Sequence, residues 1–268
     1  MTQSRPSVQL FALDGRGAAR TADLQEFSST SDAMDTGVFG FAWMYCGTDI
    51  EAATAELALF HLDHFVTEAL IAEETRPRCT VHGDGVIINL RGVNLNDGAD
   101  PEDMISVRLW VEKSRIIGVG KRPLKAIADI FDAMERGKAP ETPGDFIAKL
   151  SLRLSDRAEP VVAALNEEID TLEESLMDGP LSEARRTLAD IRHTATALRR
   201  YMFPQRDALT TLEIEDVSWL LPQDRSRIRE AADRVTRMAE ELDAIRDRAQ
   251  IVQDQIMDQR AEAMNRQM

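Results

Sequence analysis

The sequence predicts an α+β fold, in which an α/β/α-layered N-terminal domain with a mixed sheet is followed by a helical hairpin and a very long C-terminal helix. Residues 1–120 alternate short apolar runs with turn signals, the pattern of strands and short helices. Residues 142–222 carry two amphipathic helical stripes joined by Asp178-Gly179-Pro180. The 45 residues from Asp224 to Met268 contain neither Gly nor Pro. We therefore predict three domains, at residues 1–141, 142–222 and 223–268.

Apolar runs bounded by turn signals predict the individual elements of the first domain. The Asp14–Gly17 turn separates the first strand from a second short one, and Gly83-Asp84-Gly85 predicts a hairpin turn. Thr48 and Glu51 form a capping-box pattern at a helix start. The predicted longer strands are Val8–Leu13, Phe39–Cys46, Arg78–His82, Val86–Val93, Met104–Val111 and Ile116–Gly120. The predicted helices are Ile50–Phe60, Leu62–Ala72 and Leu124–Glu135.

The final helix has a heptad pattern that predicts a buried seam. Its apolar positions recur every seven residues from Ile228, with a second set three residues later. The seam residues are Ile228, Val235, Leu242, Ile245, Val252 and Ile256. We expect hairpin arms of about 20 residues to cover the seam as far as Ala249. Beyond that point we expect other subunits to cover it, unless it stays partly exposed. The pattern reaches Met268 without a stop signal, so we expect the chain to be part of a longer protein.

The composition narrows the classes of function. The formal net charge is −15 and both halves are acidic, so nucleic acid is not an expected partner. An acidic surface attracts cations, although it can also serve solubility alone. No secretory leader stands at Met1, and the longest uncharged stretch, Thr36–Thr48, is too short to cross a bilayer, so the chain as given is expected to be soluble. Cys46 and Cys79 are expected to be reduced, as in a cytosolic compartment.

No motif for catalysis or for a bound cofactor is found in the sequence, so we predict neither an enzyme nor a cofactor requirement. The one metal-like spacing is His61-x-x-His64, which places two imidazoles on one helix face where they could share a zinc ion. No third ligand follows in the local sequence. The alternative interpretation is a partly exposed polar edge of the helix, and both stay open.

Two segments contain arginine and proline in patterns that burial alone does not explain. In residues 73–78, Pro77 forces Arg76 into an extended conformation beside two carboxylates, which favours bidentate ion pairs. In residues 198–207, Pro204 interrupts a helical pattern, so we expect the helix to end or bend there. We expect the arginines of this segment to pair with nearby carboxylates and to support the structure. The residues singled out are Arg76, Pro77, Arg78, Arg199, Arg200, Tyr201, Pro204 and Arg206.

Together with Leu13–Gly17, these two segments resemble the cytoplasmic region of CorA-type divalent-cation transporters, and within that family the sequence is most similar to the ZntB zinc-transporter branch. Residues 85–91 and 104–122 also follow the family's order and spacing. The family's two membrane helices, with a Gly-x-Asn pore entrance between them, are not found in the sequence. The resemblance implies a homopentameric funnel at the cytoplasmic face of the inner membrane, whose final helix is a stalk leading towards the membrane.

The resemblance also implies a role as a regulatory domain, with zinc, or alternatively magnesium, as cargo or regulator. Carboxylates near the stalk and between subunits would attract the ion, and the stalk would relay the result to the pore. Two other classes remain as alternatives. One is a soluble coiled-coil scaffold built on helices within residues 157–268, and the other is a zinc-dependent enzyme that uses His61 and His64.

Overall fold

Seven strands form one mixed sheet. The computed structural model describes residues 8–23, 27, 40–47, 50–58, 60, 62–73, 76–175 and 181–267. The strands are β1 (Val8–Leu13), β2 (Ala19–Thr21), β3 (Phe41–Gly47), β4 (Arg78–His82), β5 (Gly85–Gly92), β6 (Ile105–Val111) and β7 (Arg115–Gly120). Their order is β2-β1-β3-β7-β6-β5-β4. All neighbours are antiparallel except β3 and β7, which run parallel. The predicted mixed sheet is confirmed.

Helices cover both faces of this sheet. On one face, α1 (Ile50–Ala58) and α2 (His64–Ile71) pack in a core that contains Met44, Ile87 and Trp110. On the other face lie α3 (Lys125–Glu135) and the start of α4 (Pro143–Ser175). There the fully buried Trp43 stacks on Phe131 of α3, with the ring centroids 4.9 Å apart. The predicted α/β/α layering is therefore also confirmed.

Some element boundaries differ from the prediction for local reasons. Helix α2 begins at His64 rather than Leu62, because the Asp63 carboxylate accepts a hydrogen bond from the Phe65 N–H at 2.7 Å and caps the helix. Helix α1 ends at Ala58 rather than Phe60. Strand β3 begins at Phe41. The remaining predicted positions, Phe39, Thr48 and the Asp178-Gly179-Pro180 stop, lie outside the described residues.

A three-helix arm continues from the sheet domain. It consists of α4, α5 (Leu181–Ile214) and α6 (Pro222–Gln267). Ion pairs join Asp145 to Arg227 and Asp170 to Arg248, so α4 and α6 run parallel. Helix α5 runs antiparallel to both. One buried apolar cluster extends from the sheet along the arm. The division into domains at residues 141 and 222 stays a prediction.

The expectation is that α5 ends or bends at Pro204. The end is wrong, because the helix continues to Ile214, and the bend stays a prediction. Proline removes one backbone hydrogen bond from a helix interior. Here Met202, Leu209 and Leu212 are buried on both sides of Pro204, and their packing keeps the helix continuous.

The expectation that the far part of the seam needs other subunits is also wrong. Val252 and Ile256 are only 1% and 2% exposed within the single chain. The physical reason is the length of the hairpin, whose helices have 33 and 34 residues. The stripe on α5 therefore extends far enough to cover Ile256, which lies beside Leu188. All six seam residues are buried in one copy.

Candidate functional site

The outward face of α6 carries a stripe of carboxylates. When the buried seam occupies the a and d positions of a heptad, the f position points away from the seam. In α6 the f positions are acidic in four successive heptads, and all four side chains are exposed. They are Asp233, Glu240, Asp247 and Asp254. Within the described residues none of the four is in an ion pair, and Asp254 accepts a hydrogen bond from the neutral amide of Gln250 at 3.0 Å.

The spacing of the acidic stripe determines what it can do chemically. Seven helical residues correspond to about 10.5 Å along the axis, whereas metal–oxygen distances are about 2.0–2.6 Å. Two carboxylates of the stripe in one copy therefore cannot chelate the same ion. Across the described ranges, no three His, Cys, Asp or Glu side chains gather in a group that could hold a metal ion. One copy can thus concentrate cations along α6 by electrostatic attraction.

The neighbouring g positions of α6 have the opposite role. Arg227, Arg234 and Arg248 lie at this position and pair with carboxylates of α4. Arg248 makes the largest network. Its guanidinium donates to Glu173 Oε1 at 2.9 Å and Oε2 at 2.6 Å, to Asn166 Oδ1 at 3.1 Å and to Asp170. The hydrogen bonds that Arg248 donates to Glu173, and then the one to Asp170, raise the pKa of Arg248 above its ordinary value. These pairs attach α6 to α4 and leave the acidic stripe facing outwards.

Two buried aspartates join the first turns of α4 and α6. Each lies at the third helical position behind a proline. Asp145 accepts from the Glu141 N–H and from Lys149 and Arg227. Asp224 is 0% exposed and accepts from the Leu221 N–H at 3.1 Å. Burial raises the pKa of Asp224, and the Asp145 carboxylate also raises it.

Gly144 permits this close approach of the two helices. A Cβ at position 144 would clash with the Asp224 carboxylate. The Oδ1 atom of Asp224 is buried and has no hydrogen-bond partner among the described residues. The contact therefore has no room for a larger side chain at position 144 and leaves a buried carboxyl group only partly satisfied.

The arginine-rich segment of α5 faces two ways. Tyr201 and Gln205, one helical turn apart, face β5. The Arg91 guanidinium lies 4.1 Å from the Tyr201 ring centroid, and the Arg91 N–H donates to Gln205 Oε1 at 2.7 Å. On another side, Arg199 pairs with Asp243 of α6. The segment is thus a joint that connects the sheet, α5 and α6.

The other arginines of the two segments have lesser roles. Arg206 pairs with the adjacent Asp207 at 2.6 Å and lies over the Phe203 ring, while Arg200 is exposed. Pro77 is buried. Arg76 and Arg78 are exposed, and the expected ion pairs at these two arginines are not present within the described residues. Structural support as the role of the whole set stays a prediction.

Of the predicted histidine pair, only His64 lies within the described residues, so the shared zinc site stays a prediction. His61 lies outside the described residues. The His64 side chain is 85% exposed, with Glu68 at 3.5 Å as its neighbour. Neither cysteine is in a disulfide bond, and burial raises the pKa of Cys79 to about 12, so its thiol is a poor metal ligand.

The residues that sequence reasoning missed are the acidic stripe and the Gln205 contact. The stripe has a sequence signal, because each of its members lies two residues before a seam position such as Val235 or Leu242. The partner of Gln205 has no such signal. Arg91 is 114 positions away in the chain, and only the fold brings the two together.

Comparisons with known proteins give consistent results. A family model described as CorA-like Mg²⁺ transporter protein matches residues 39–268. The divalent cation transporter CmaX of Pseudomonas aeruginosa is 33% identical over 261 residues, which cover 96% of this chain and 77% of CmaX. The zinc transport protein ZntB of Pectobacterium carotovorum is 32% identical over 265 residues, which cover 98% of this chain and 78% of that protein.

Solved structures agree with these matches. The structure of full-length CmaX superposes with a TM-score of 0.86 at 30% identity, over 99% of this chain and 82% of that chain. The ZntB cytoplasmic domain from Vibrio parahaemolyticus superposes with a TM-score of 0.78 over 95% of this chain and 98% of that chain, and at 20% identity this likeness shows the fold alone. None of the helices in the described ranges combines the length and the apolarity needed to cross a membrane.

Proposed function

Because this chain belongs to the CorA-like Mg²⁺ transporter family, we propose that it is the cytoplasmic domain of a membrane transporter for divalent cations. In this role it catalyses no reaction and needs no cofactor. The domain concentrates the ion and transmits its own conformational change towards the pore. The observation that carries the proposal is the acidic stripe of α6, in which four exposed carboxylates follow one face of the 46-residue helix.

Assembly of copies completes the proposed mechanism. In a homopentamer at the cytoplasmic face of the inner membrane, the α6 helices would surround the axis and the acidic stripes would line the route of the ion. Carboxylates from neighbouring copies would then come closer together than the 10.5 Å or so that separates them within one helix. Such a lining raises the local concentration of divalent cations and lowers that of anions.

We propose zinc as the cargo, with magnesium as the alternative. Support for zinc comes from the ZntB relatives, which are named zinc transport proteins and match along 98% of this chain. The acidic stripe does not favour either ion, because carboxylate oxygens bind both zinc and magnesium. Selection between the two ions therefore lies outside the stripe.

The test is to neutralise the stripe. The variant carries Asp233→Asn, Glu240→Gln, Asp247→Asn and Asp254→Asn. Binding of Zn²⁺ and Mg²⁺ to the purified protein is measured by calorimetry, and metal accumulation is measured in cells that express a transporter containing this domain and its membrane part. We expect weaker binding of both ions and slower accumulation, with thermal stability unchanged because all four side chains are exposed.

A matched control removes the same charge elsewhere, by Asp84→Asn, Asp97→Asn, Asp100→Asn and Asp132→Asn, which are also exposed. This control should bind and accumulate metal as the parent does. Equal losses in both variants would mean that only total charge matters, and the stripe would lose its assigned role. Normal accumulation in the stripe variant would favour the coiled-coil scaffold instead.

A further inference from the structure

The three-helix arm separates its charges on different sides of α5. On the side nearer α6, two adjoining grooves of 300 and 410 Å³ share Ala189 and Arg192. Small side chains such as Thr196, together with arginines, line one groove, and arginines and the exposed Met257 line the other. We call this the basic groove. Its arginines are Arg185, Arg192, Arg200 and Arg260. The positive charge is concentrated here although the chain as a whole carries −15.

The arginines of the basic groove are available to a partner. Arg192 donates to the neutral amide of Gln253. Within the described residues, none of the four lies within ion-pair distance of a carboxylate. This distinguishes them from Arg199 and Arg248, which are neutralised by carboxylates of the arm itself.

An acidic ridge lies on the other side of α5. Glu167 and Glu168 of α4 are exposed and line a groove of 610 Å³ together with Glu183 of α5. Glu174, two turns further along α4, is exposed as well. These carboxylates are separate from Asp170 and Glu173, which Arg248 neutralises. Within the part of the arm that the structure describes, carboxylates outside any ion pair therefore lie on one side and guanidiniums outside any ion pair on another.

We propose that the acidic ridge of one copy docks into the basic groove of a second copy of this chain. The small residues in the floor of the groove allow a helix to approach closely, and the flanking arginines fit its carboxylates. Because the two surfaces differ, the contact is heterologous. Each copy would offer its acidic ridge to one neighbour and its basic groove to the other, so that repeated contacts form a ring. The proposal rests on the assembly of copies in the proposed function, but it assigns the contact to the arms.

A second copy of the chain would bind both the basic groove and the acidic ridge, whereas an anionic membrane would bind only the basic groove. An anionic membrane surface would attract the basic groove and repel the acidic ridge on the same arm. The flexible Met257, 61% exposed in the groove, also suits a protein surface, because methionine adapts its shape to a partner side chain.

Charge reversal on each surface tests the contact. One variant carries Glu167→Lys and Glu168→Lys, and another carries Arg185→Glu and Arg200→Glu. A combined variant carries all four changes. The mass of the 268-residue chain is measured by sedimentation at low and high salt. We expect the parent to associate at low salt and to dissociate as salt rises, because screening weakens exposed charge pairs. Each single-surface variant should associate about tenfold or more weakly.

The combined variant separates docking from general charge effects. It carries lysines on the ridge and glutamates in the groove, so we expect association to return. Matched controls are Asp84→Lys with Asp97→Lys, and Lys113→Glu with Lys138→Glu, which should associate as the parent does. Circular dichroism confirms that each variant is folded.

Three results would overturn the proposal: a parent that stays monomeric at sub-millimolar concentration and low salt, single-surface variants that associate normally, or a combined variant that does not recover. Loss of binding to anionic phospholipid vesicles in the groove variant, with normal self-association, would identify a membrane surface as the occupant. None of these results affects the stripe test, which changes different residues on α6. Failure of the docking contact and failure of the proposed function are therefore distinguishable.

Discussion

Substitution of Val252 by Asp tests whether the arm is complete within one copy. Val252 is 1% exposed, and its neighbour Ile251 is 59% exposed. Burial of a valine side chain contributes about 1.5–3 kcal/mol, and an unpaired charge in its place adds a desolvation cost. We therefore expect Val252→Asp to lower the free energy of unfolding by about 3–5 kcal/mol. The control Ile251→Asp should change it by no more than about 0.5 kcal/mol.

Thermal unfolding followed by far-UV circular dichroism measures this difference. For a chain of this size, 1 kcal/mol corresponds to about 2–4 °C, so the Tm of Val252→Asp should fall by about 6–20 °C. Sedimentation on the same samples reports association separately. If Val252→Asp keeps the parent Tm and only dissociates the assembly, the far part of the seam is covered by other copies and the reasoning is refuted.

Three further predictions concern the contacts that hold the arm together. Arg248→Met should lower the free energy of unfolding by about 1–2 kcal/mol, because the charged hydrogen bonds of Arg248 are lost. The control Arg246→Met, which breaks a more exposed ion pair, should lower it by less than about 0.5 kcal/mol. Urea titration measures both changes, and equal values would contradict the assigned network. Burial raises the pKa of Asp224, so the folded state retains a proton that the unfolded state releases, and stability should fall as pH rises above about 4. In Asp224→Asn this part of the pH dependence should disappear from urea midpoints measured across pH, and an unchanged profile would be the contrary result. Gln205→Met should cost about 1–3 kcal/mol, because the Arg91 N–H loses its acceptor, and hydrogen exchange at that amide should accelerate; protection equal to that of the parent would count against the joint.

Local signals in the sequence predict most of the elements but not their partners. Alternation and turn residues place the strands, and the absence of Gly and Pro after Asp224 predicts the long helix. The parallel pairing of β3 with β7 could not be predicted in this way, because these strands are separated by α1, α2 and three other strands. Pairing across such distances depends on how the whole chain packs.

The errors at Pro204 and at the far part of the seam have one physical cause. Both came from local rules, one on proline in helices and the other on the expected hairpin length. Burial of Met202 and Leu209 outweighs the hydrogen bond that Pro204 removes. The heptad pattern could have predicted the acidic stripe, because it identifies the outward positions of α6. The network around Arg248 could not be predicted in this way, because it depends on the register between two helices, which the sequence of one helix does not specify.

The attachment of α6 along its length makes the arm a lever. Helix α6 has 46 residues, or a length of about 69 Å. Because arginine pairs hold α6 to α4 and α5 at several levels, the three helices can rotate as one stiff rod. A rotation of only about 3° at the sheet end would carry the far end through about 3.6 Å. Repacking at the Gln205 joint too small to disturb the core could thus produce a displacement as wide as an ion at the other end.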